Sequence, residues 1–182
     1  MSASVTKRLL GHYRDASFFQ VEAGLEWYHE AALVAATLAN DGKYSLEQTA
    51  GVVAVLSPRV HWRTNKRLAH YVVACHADGV PVTDVKGCIR GNIARAYRVL
   101  DGDLSAISGP KVTAFWRGIL GDETVVTLDV WAYRAAIGRD YVGPGPLRRS
   151  VESSYRNAAR RAGVNPRDFQ AIVWVAVRGS AL

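Results

Sequence analysis

Cysteine is nearly absent from this 182-residue chain, which carries only Cys75 and Cys88. Two cysteines cannot build a disulfide framework, and their spacing fits no zinc or iron–sulfur pattern, so a metal-stapled fold is not expected. No apolar run approaches the roughly 18–20 residues that a bilayer-spanning helix needs. The opening MSASVTKRLLGHYRD lacks the apolar core of a secretory signal. A cytoplasmic chain with no membrane partner is the expectation. Acid is also in short supply. Sixteen Asp and Glu face 23 Lys and Arg, giving a net charge of +7 and a pI near 9.7. That surplus favours a polyanionic partner, nucleic acid ahead of anionic membrane. Strand-like alternation, low complexity and internal repeats are missing too, which leaves an all-α reading.

What remains is ordinary for a globular chain: 49% hydrophobic and 21% charged residues. The length suits one domain, 1–182, or two small lobes sharing a core. A short helix is expected over 4–14, then a longer one from Phe18 to about Leu38. Its apolar rhythm runs Phe18, Val21, Leu25, Trp27, Tyr28, Ala32, Leu33, and its aromatics are read as core. Asn40-Asp41-Gly42 ends it. Ser45 and Gln48 form a capping box for a helix that is apolar all round over Thr49–Leu56, hence central. Ser57-Pro58 stops that helix, because proline disfavours helical geometry in the residue before it.

A helix then opens near Val60-His61-Trp62 and runs to about Asp78-Gly79. Another is expected over Ile89–Leu100, with Arg90, Arg95 and Arg98 near one face, solvated or facing a nucleic-acid backbone. Asp103 is placed to cap a short turn. Gly143-Pro-Gly-Pro146 breaks the chain as a loop, a basic amphipathic helix ends at Gly163, and Asn165-Pro166 starts the last helix. Gln170 and Trp174 lie one turn apart on it, spaced to face a pocket, with packing as the preferred reading. The total is eight to ten helices.

The densest information lies in 104–134. Ser108-Gly109-Pro110 forms a tight turn that starts a helix, with Pro110 suited to the first helical position. The exposed N–H groups and positive dipole end there form a ready phosphate site. Lys111 sits in that first turn, where a cation opposes the dipole, so helix stability does not explain it. After Gly121-Asp122, the apolar Val125, Val126 and Leu128 deliver Asp129 to the start of another helix.

Gly109-Pro110-Lys111, followed 18 positions later by Asp129 within Leu128-Asp129-Val130-Trp131 and by Arg134, resembles the helix-hairpin-helix DNA glycosylase superfamily, the endonuclease III-like group. Ile107 stands where the hairpin's first glycine lies in that family, and Trp131 where a histidine is usual. Leu56-Ser57 and Asn65-Lys66 also match an apolar helix, a polar loop and a following helix of the family. The resemblance covers roughly 45–138.

The resemblance implies a two-lobed all-α fold with a helix-hairpin-helix motif and the active cleft between the lobes. It implies removal of a damaged or modified base from DNA. Asp129 would stabilise the charged sugar or activate the nucleophile. Lys111 would attack the sugar and form a Schiff base that permits strand cleavage. Backbone binding falls to Ser108, Gly109, Pro110, Arg59, Asn65 and Lys66, with Arg59 placed to fill the gap left by the flipped base. His61, Trp62, Trp116, Trp131 and Tyr133 are candidates for the base pocket. No metal or cofactor is expected apart from a monovalent cation at the hairpin, and no iron–sulfur cluster. The partner is double-stranded DNA and the protein a monomer. Taken singly, Lys111 also reads as a phosphate-binding lysine and Asp129 as a plain helix cap. Two other functions stay open: a glycosylase-fold enzyme that transfers groups onto thymine in DNA, and a non-catalytic helix-hairpin-helix DNA-binding module.

Overall fold

A computed structural model of the chain describes residues 2–39, 42–87, 89–141, 143 and 145–179. Asn40, Asp41, Cys88 and Pro144, used above as turn, cysteine and breaker, lie outside the described residues. The described residues form nine α-helices and no strand, so the chain is all-α as expected. They run α1 Ser2–Asp15, α2 Phe18–Ala39, α3 Leu46–Leu56, α4 Trp62–Ala77, α5 Arg90–Leu100, α6 Pro110–Ile119, α7 Val130–Ile137, α8 Pro146–Ala162 and α9 Pro166–Arg178. A single 3₁₀ turn, Leu104–Ala106, separates α5 from α6. The chain divides into two compact units. Of the described residues, one comprises those from 2–28 and 121–179, the other those from 29–120.

In the first unit α1 packs on α7, α8 and α9, and α9 also packs on α7 and α8. Their shared core holds Leu9, Leu128, Tyr133, Tyr155 and Phe169. Sequence signals set the ends of these helices. Gly138 and Gly163 close α7 and α8 in the left-handed conformation, at φ +73 and +72. Asn165 caps α9 by accepting the Asp168 N–H at 2.9 Å.

In the second unit α3 is the central element and packs on α4, α5 and α6. Every residue from Thr49 to Leu56 is buried, as its all-round apolar sequence requires. The capping box forms in both directions. Gln48 N–H donates to Ser45 Oγ at 3.2 Å, and Ser45 N–H donates to Gln48 Oε1 at 2.8 Å. The Gln48 amide also donates to Leu100 O at 2.7 Å, tying the start of α3 to the end of α5.

Two expectations need correction. α3 ends at Leu56, so the stop at Ser57-Pro58 holds, but Ser57 itself stays in the right-handed helical region (φ −68, ψ −22) despite preceding Pro58. The turn instead falls on Arg59, at φ +63 the one non-glycine residue with positive φ among the described residues. The second correction concerns α2. Phe18 is 72% exposed, and Phe19, Leu25 and Leu33 are exposed as well. The buried stripe is Gly24, Tyr28, Ala31, Ala35 and Leu38, a helical rhythm in which three of the five residues are small. Close approach selects that face. A Cβ on Gly24 would lie 2.5 Å from Ile172 Cα, so only glycine lets α9 come this near. On the second unit's part of α2, Thr49 Oγ1 donates to Ala35 O at 2.8 Å.

Candidate functional site

Lys111 and the Ser108–Pro110 turn belong to the second unit. The 3₁₀ turn leads into the hairpin and is capped by Asp103, whose carboxylate accepts the Ser105 N–H at 3.1 Å and also pairs with Arg98. Hydrogen bonds from Ser105, then from Arg98, hold the Asp103 carboxyl below the usual carboxylate range. Arg95 spans the loop, donating to Ala106 O at 2.9 Å and to Ser108 O at 2.7 Å. Two of the three arginines read as a charged face on α5 are therefore structural clamps of the hairpin.

Ile107, where the resemblance would place a glycine, has φ −79 and needs no glycine. Its side chain is buried in the notch left by Gly51, where an added Cβ would lie 2.6 Å from Ile107 Cδ1. Gly109 does need its freedom, at φ +92, and Pro110 follows as the first helical residue. Ser108, Gly109 and Pro110 are exposed. Lys111 Nζ donates to Ser57 Oγ at 2.8 Å and lies 5.9 Å from the Phe115 ring centroid. That bond seats the first turn of α6 against the α3–α4 loop carrying Arg59, which is exposed. In the sequence Ser57 stands out as a helix end and as part of the Leu56-Ser57 pair. Nothing local marks it as the partner of a lysine 54 positions away.

The α4 candidates divide. Asn65 is 1% exposed and donates to Val53 O at 3.1 Å, so it is an internal strut and not a DNA contact. Its Oδ1 is buried without a hydrogen bond. Lys66 is drawn to Glu30 at 2.5 Å, and Glu30 Oε2 accepts the Trp62 indole N–H at 2.9 Å. Trp62 is 5% exposed and belongs to this packing, not to an open pocket. His61 is the exposed N-cap residue of α4, although its ring makes no capping bond. Trp116 is half-buried and donates to Glu47 O at 3.0 Å.

Asp129 belongs to the first unit. Val125, Val126 and Leu128 are buried, and the Thr127 hydroxyl shares a 2.8 Å hydrogen bond with Tyr28. These anchors bring Asp129 to the N-cap of α7, where Oδ1 accepts the Ala132 N–H at 2.8 Å. Oδ2 accepts the Trp174 indole N–H at 3.0 Å. The carboxylate is thus held from both sides. Trp174 is itself fixed by the Trp27 ring, 5.0 Å between centroids, and by the Arg178 guanidinium at 4.7 Å. Burial, with a smaller push from the Asp129 charge, raises the Tyr155 phenol well above its ordinary range. Burial raises Tyr28 likewise. Both phenols beside the carboxylate stay protonated at neutral pH.

Two pocket candidates flank Asp129 in sequence. Trp131 is half-buried under the Arg134 guanidinium at 4.4 Å, and Arg134 pairs with Asp140. Tyr133 is 1% exposed and edge-on to Tyr141 at 5.0 Å, which makes it core and not a pocket wall. The residue that sequence reasoning undervalued is Trp174. Its one-turn spacing from Gln170 was visible, but its hydrogen bond across 45 positions was not.

Among the described residues no group of three or more His, Cys, Asp or Glu could hold a metal ion. None of their helices is long and apolar enough to cross a membrane. No curated protein and no solved structure matches the chain. A family match extends over residues 1–181, and the chain belongs to the "Family of unknown function (DUF7178)".

Proposed function

We propose that this protein is a DNA base-processing enzyme of the helix-hairpin-helix glycosylase type, releasing a damaged or modified base by cleaving its N-glycosidic bond. The observation that carries the reading is the setting of Asp129. It is an acid fixed by a helix N-terminus on one oxygen and an indole N–H on the other. It follows by 18 positions a lysine in the first turn of a glycine–proline hairpin helix. A carboxylate that only capped a helix would not need a second, aromatic donor.

The target base must first leave the stack, at a cost of a few kcal/mol. Loss of the base builds positive charge on the sugar, which an ionised Asp129 stabilises. Once it has given up its proton, the Lys111 amine adds to C1′ as the base departs with the bonding electron pair. Loss of a proton and opening of the sugar ring give a Schiff base, from which elimination cuts the strand. The backbone N–H groups of α6 and Arg59 hold the phosphates during these steps.

Borohydride reduces such a Schiff base to a stable amine, so trapping on a lesion-bearing duplex tests the assignment. A covalent protein–DNA band is expected from the wild type and none from Lys111→Ala, with DNA affinity only modestly reduced. Trapping that survives Lys111→Ala would remove the lysine from the mechanism. Alkali-sensitive abasic sites without a trapped band would leave Asp129 acting through water.

A further inference from the structure

Helix α4 carries Arg63, Lys66, Arg67, His70 and His76 and not one Asp or Glu. A solvated helix ordinarily interleaves acids with bases at i, i+4, because such pairs support the helix. Here Arg63 and Arg67 are like charges at that spacing, and Arg63 lies in the first turn, against the helix dipole. Both features cost helix stability. The other face of α4 is committed, with Trp62, Asn65, Leu68, Ala69, Val72, Val73 and Cys75 buried. Arg63, Arg67 and His70 point outward together. Among the described residues neither Arg63 nor Arg67 forms an ion pair, whereas Lys66, between them in sequence, is held by Glu30.

We propose that this ridge, Arg63, Arg67 and His70, continued through Arg59, is a nucleic-acid backbone contact surface of the second unit. The proposal rests on the reading of DNA as partner and adds residues that the hairpin resemblance does not supply. Along the helix Arg67 lies about 6 Å and His70 about 10.5 Å beyond Arg63, a linear array suited to a line of phosphates. Arg59 is exposed at φ +63 in the α3–α4 loop, and Ser57 of that loop accepts a hydrogen bond from Lys111. The loop that leads into the ridge is thereby tied to the first turn of α6. A membrane surface fits less well, because an interfacial helix needs apolar side chains beside its basic ones. Beside the arginines here Thr64 and His70 are polar, and Tyr71, one turn after Arg67, is a single exposed aromatic and not an apolar stripe.

The test is the salt dependence of binding to a fluorescein-labelled duplex of about 20 base pairs, read by anisotropy. Arg63→Gln and Arg67→Gln should each lower the slope of log K against log[salt] by about one, and the double variant by about two. The losses should not depend on duplex sequence. Lys66→Gln removes the same charge from the same helix but should leave the slope unchanged, since Glu30 already holds that ammonium. Circular dichroism of each variant checks folding, which exposed arginines replaced by a helix-forming residue should preserve. A wild-type slope in a folded double variant would overturn the ridge while leaving the DNA reading intact. Equal losses in Lys66→Gln would also overturn it, reducing the effect to net charge. No duplex binding by the wild type would overturn the reading beneath it. Binding instead to phosphatidylserine vesicles, dependent on Arg63 and Arg67, would give the surface to a membrane.

Discussion

Asp129 has a hydrogen-bond donor on each carboxylate oxygen before any substrate arrives, and the two donors differ in what they can be asked to do. The Ala132 N–H belongs to the helix that Asp129 caps; the Trp174 indole N–H comes from another helix, α9, and fixes the rotamer. Hydrogen bonds to charged groups are worth about 1.5–3 kcal/mol. Trp174→Phe keeps the ring against Trp27 and loses only the N–H. It should cut base release by roughly tenfold to a hundredfold with the apparent affinity for DNA unchanged. Single-turnover kinetics checks this, and wild-type turnover in that variant would show that the cap alone positions Asp129. At this scale sequence legibility was uneven. Lys111 and Asp129 stood out because their partners in the argument were neighbours or fixed spacings. Ser57, Glu30 and Trp174 acquire their roles only through contacts made by folding, so nothing local could reveal them.

Among the elements, α3 was legible because the Ser45–Gln48 box and an apolar stretch on every face leave one solution, a capped central helix. Ser45→Ala should cost about 1 kcal/mol in denaturant unfolding, within the range for lost helix caps. The packing partner of α2 was not legible. Three of the five residues of its buried stripe, Gly24, Ala31 and Ala35, carry little hydrophobic signal, while the bulky Phe18, Leu25 and Leu33 point outward.

Glycine substitutions separate the two kinds of close contact. In Gly51→Ala the new methyl meets the side-chain ends of Ile107 and Val99, which can shift, at a cost of about 1–3 kcal/mol. In Gly24→Ala it meets the Ile172 backbone, which cannot shift without moving α9, so the loss should be the larger of the two. Thermal unfolding of both variants gives the order. The hairpin adds a pH dependence. Asp103 is held below its ordinary value, so its support of the 104–106 turn is complete above the unfolded value of about 3.9. That support is lost as pH falls through the lower folded value. Faster amide exchange at Ser105 below about pH 4, relative to the intrinsic rate, is the expected sign.

For the molecule as a whole, the positive charge surplus pointed to a polyanion without saying which surface meets it. Charge on the page is not charge available. Arg95, Arg98, Lys66 and Arg134 are engaged with the protein's own carbonyls and carboxylates. Arg59, Arg63 and Arg67 are outward-facing, and the DNA reading assigns the polyanion to them and to the hairpin. The central claim remains chemical: an Asp129-dependent reaction at a base. The most direct measurement incubates the protein with duplexes carrying single uracil, thymine glycol, 8-oxoguanine or hydroxymethylated bases and analyses the DNA by mass spectrometry. The account predicts an abasic product from at least one of them with the wild type, and none with Asp129→Asn at unchanged affinity. A base carrying a new adduct and no abasic site would instead make the protein a base-modifying transferase. Tight binding with no change in any base, or turnover that Asp129→Asn leaves intact, would contradict the account.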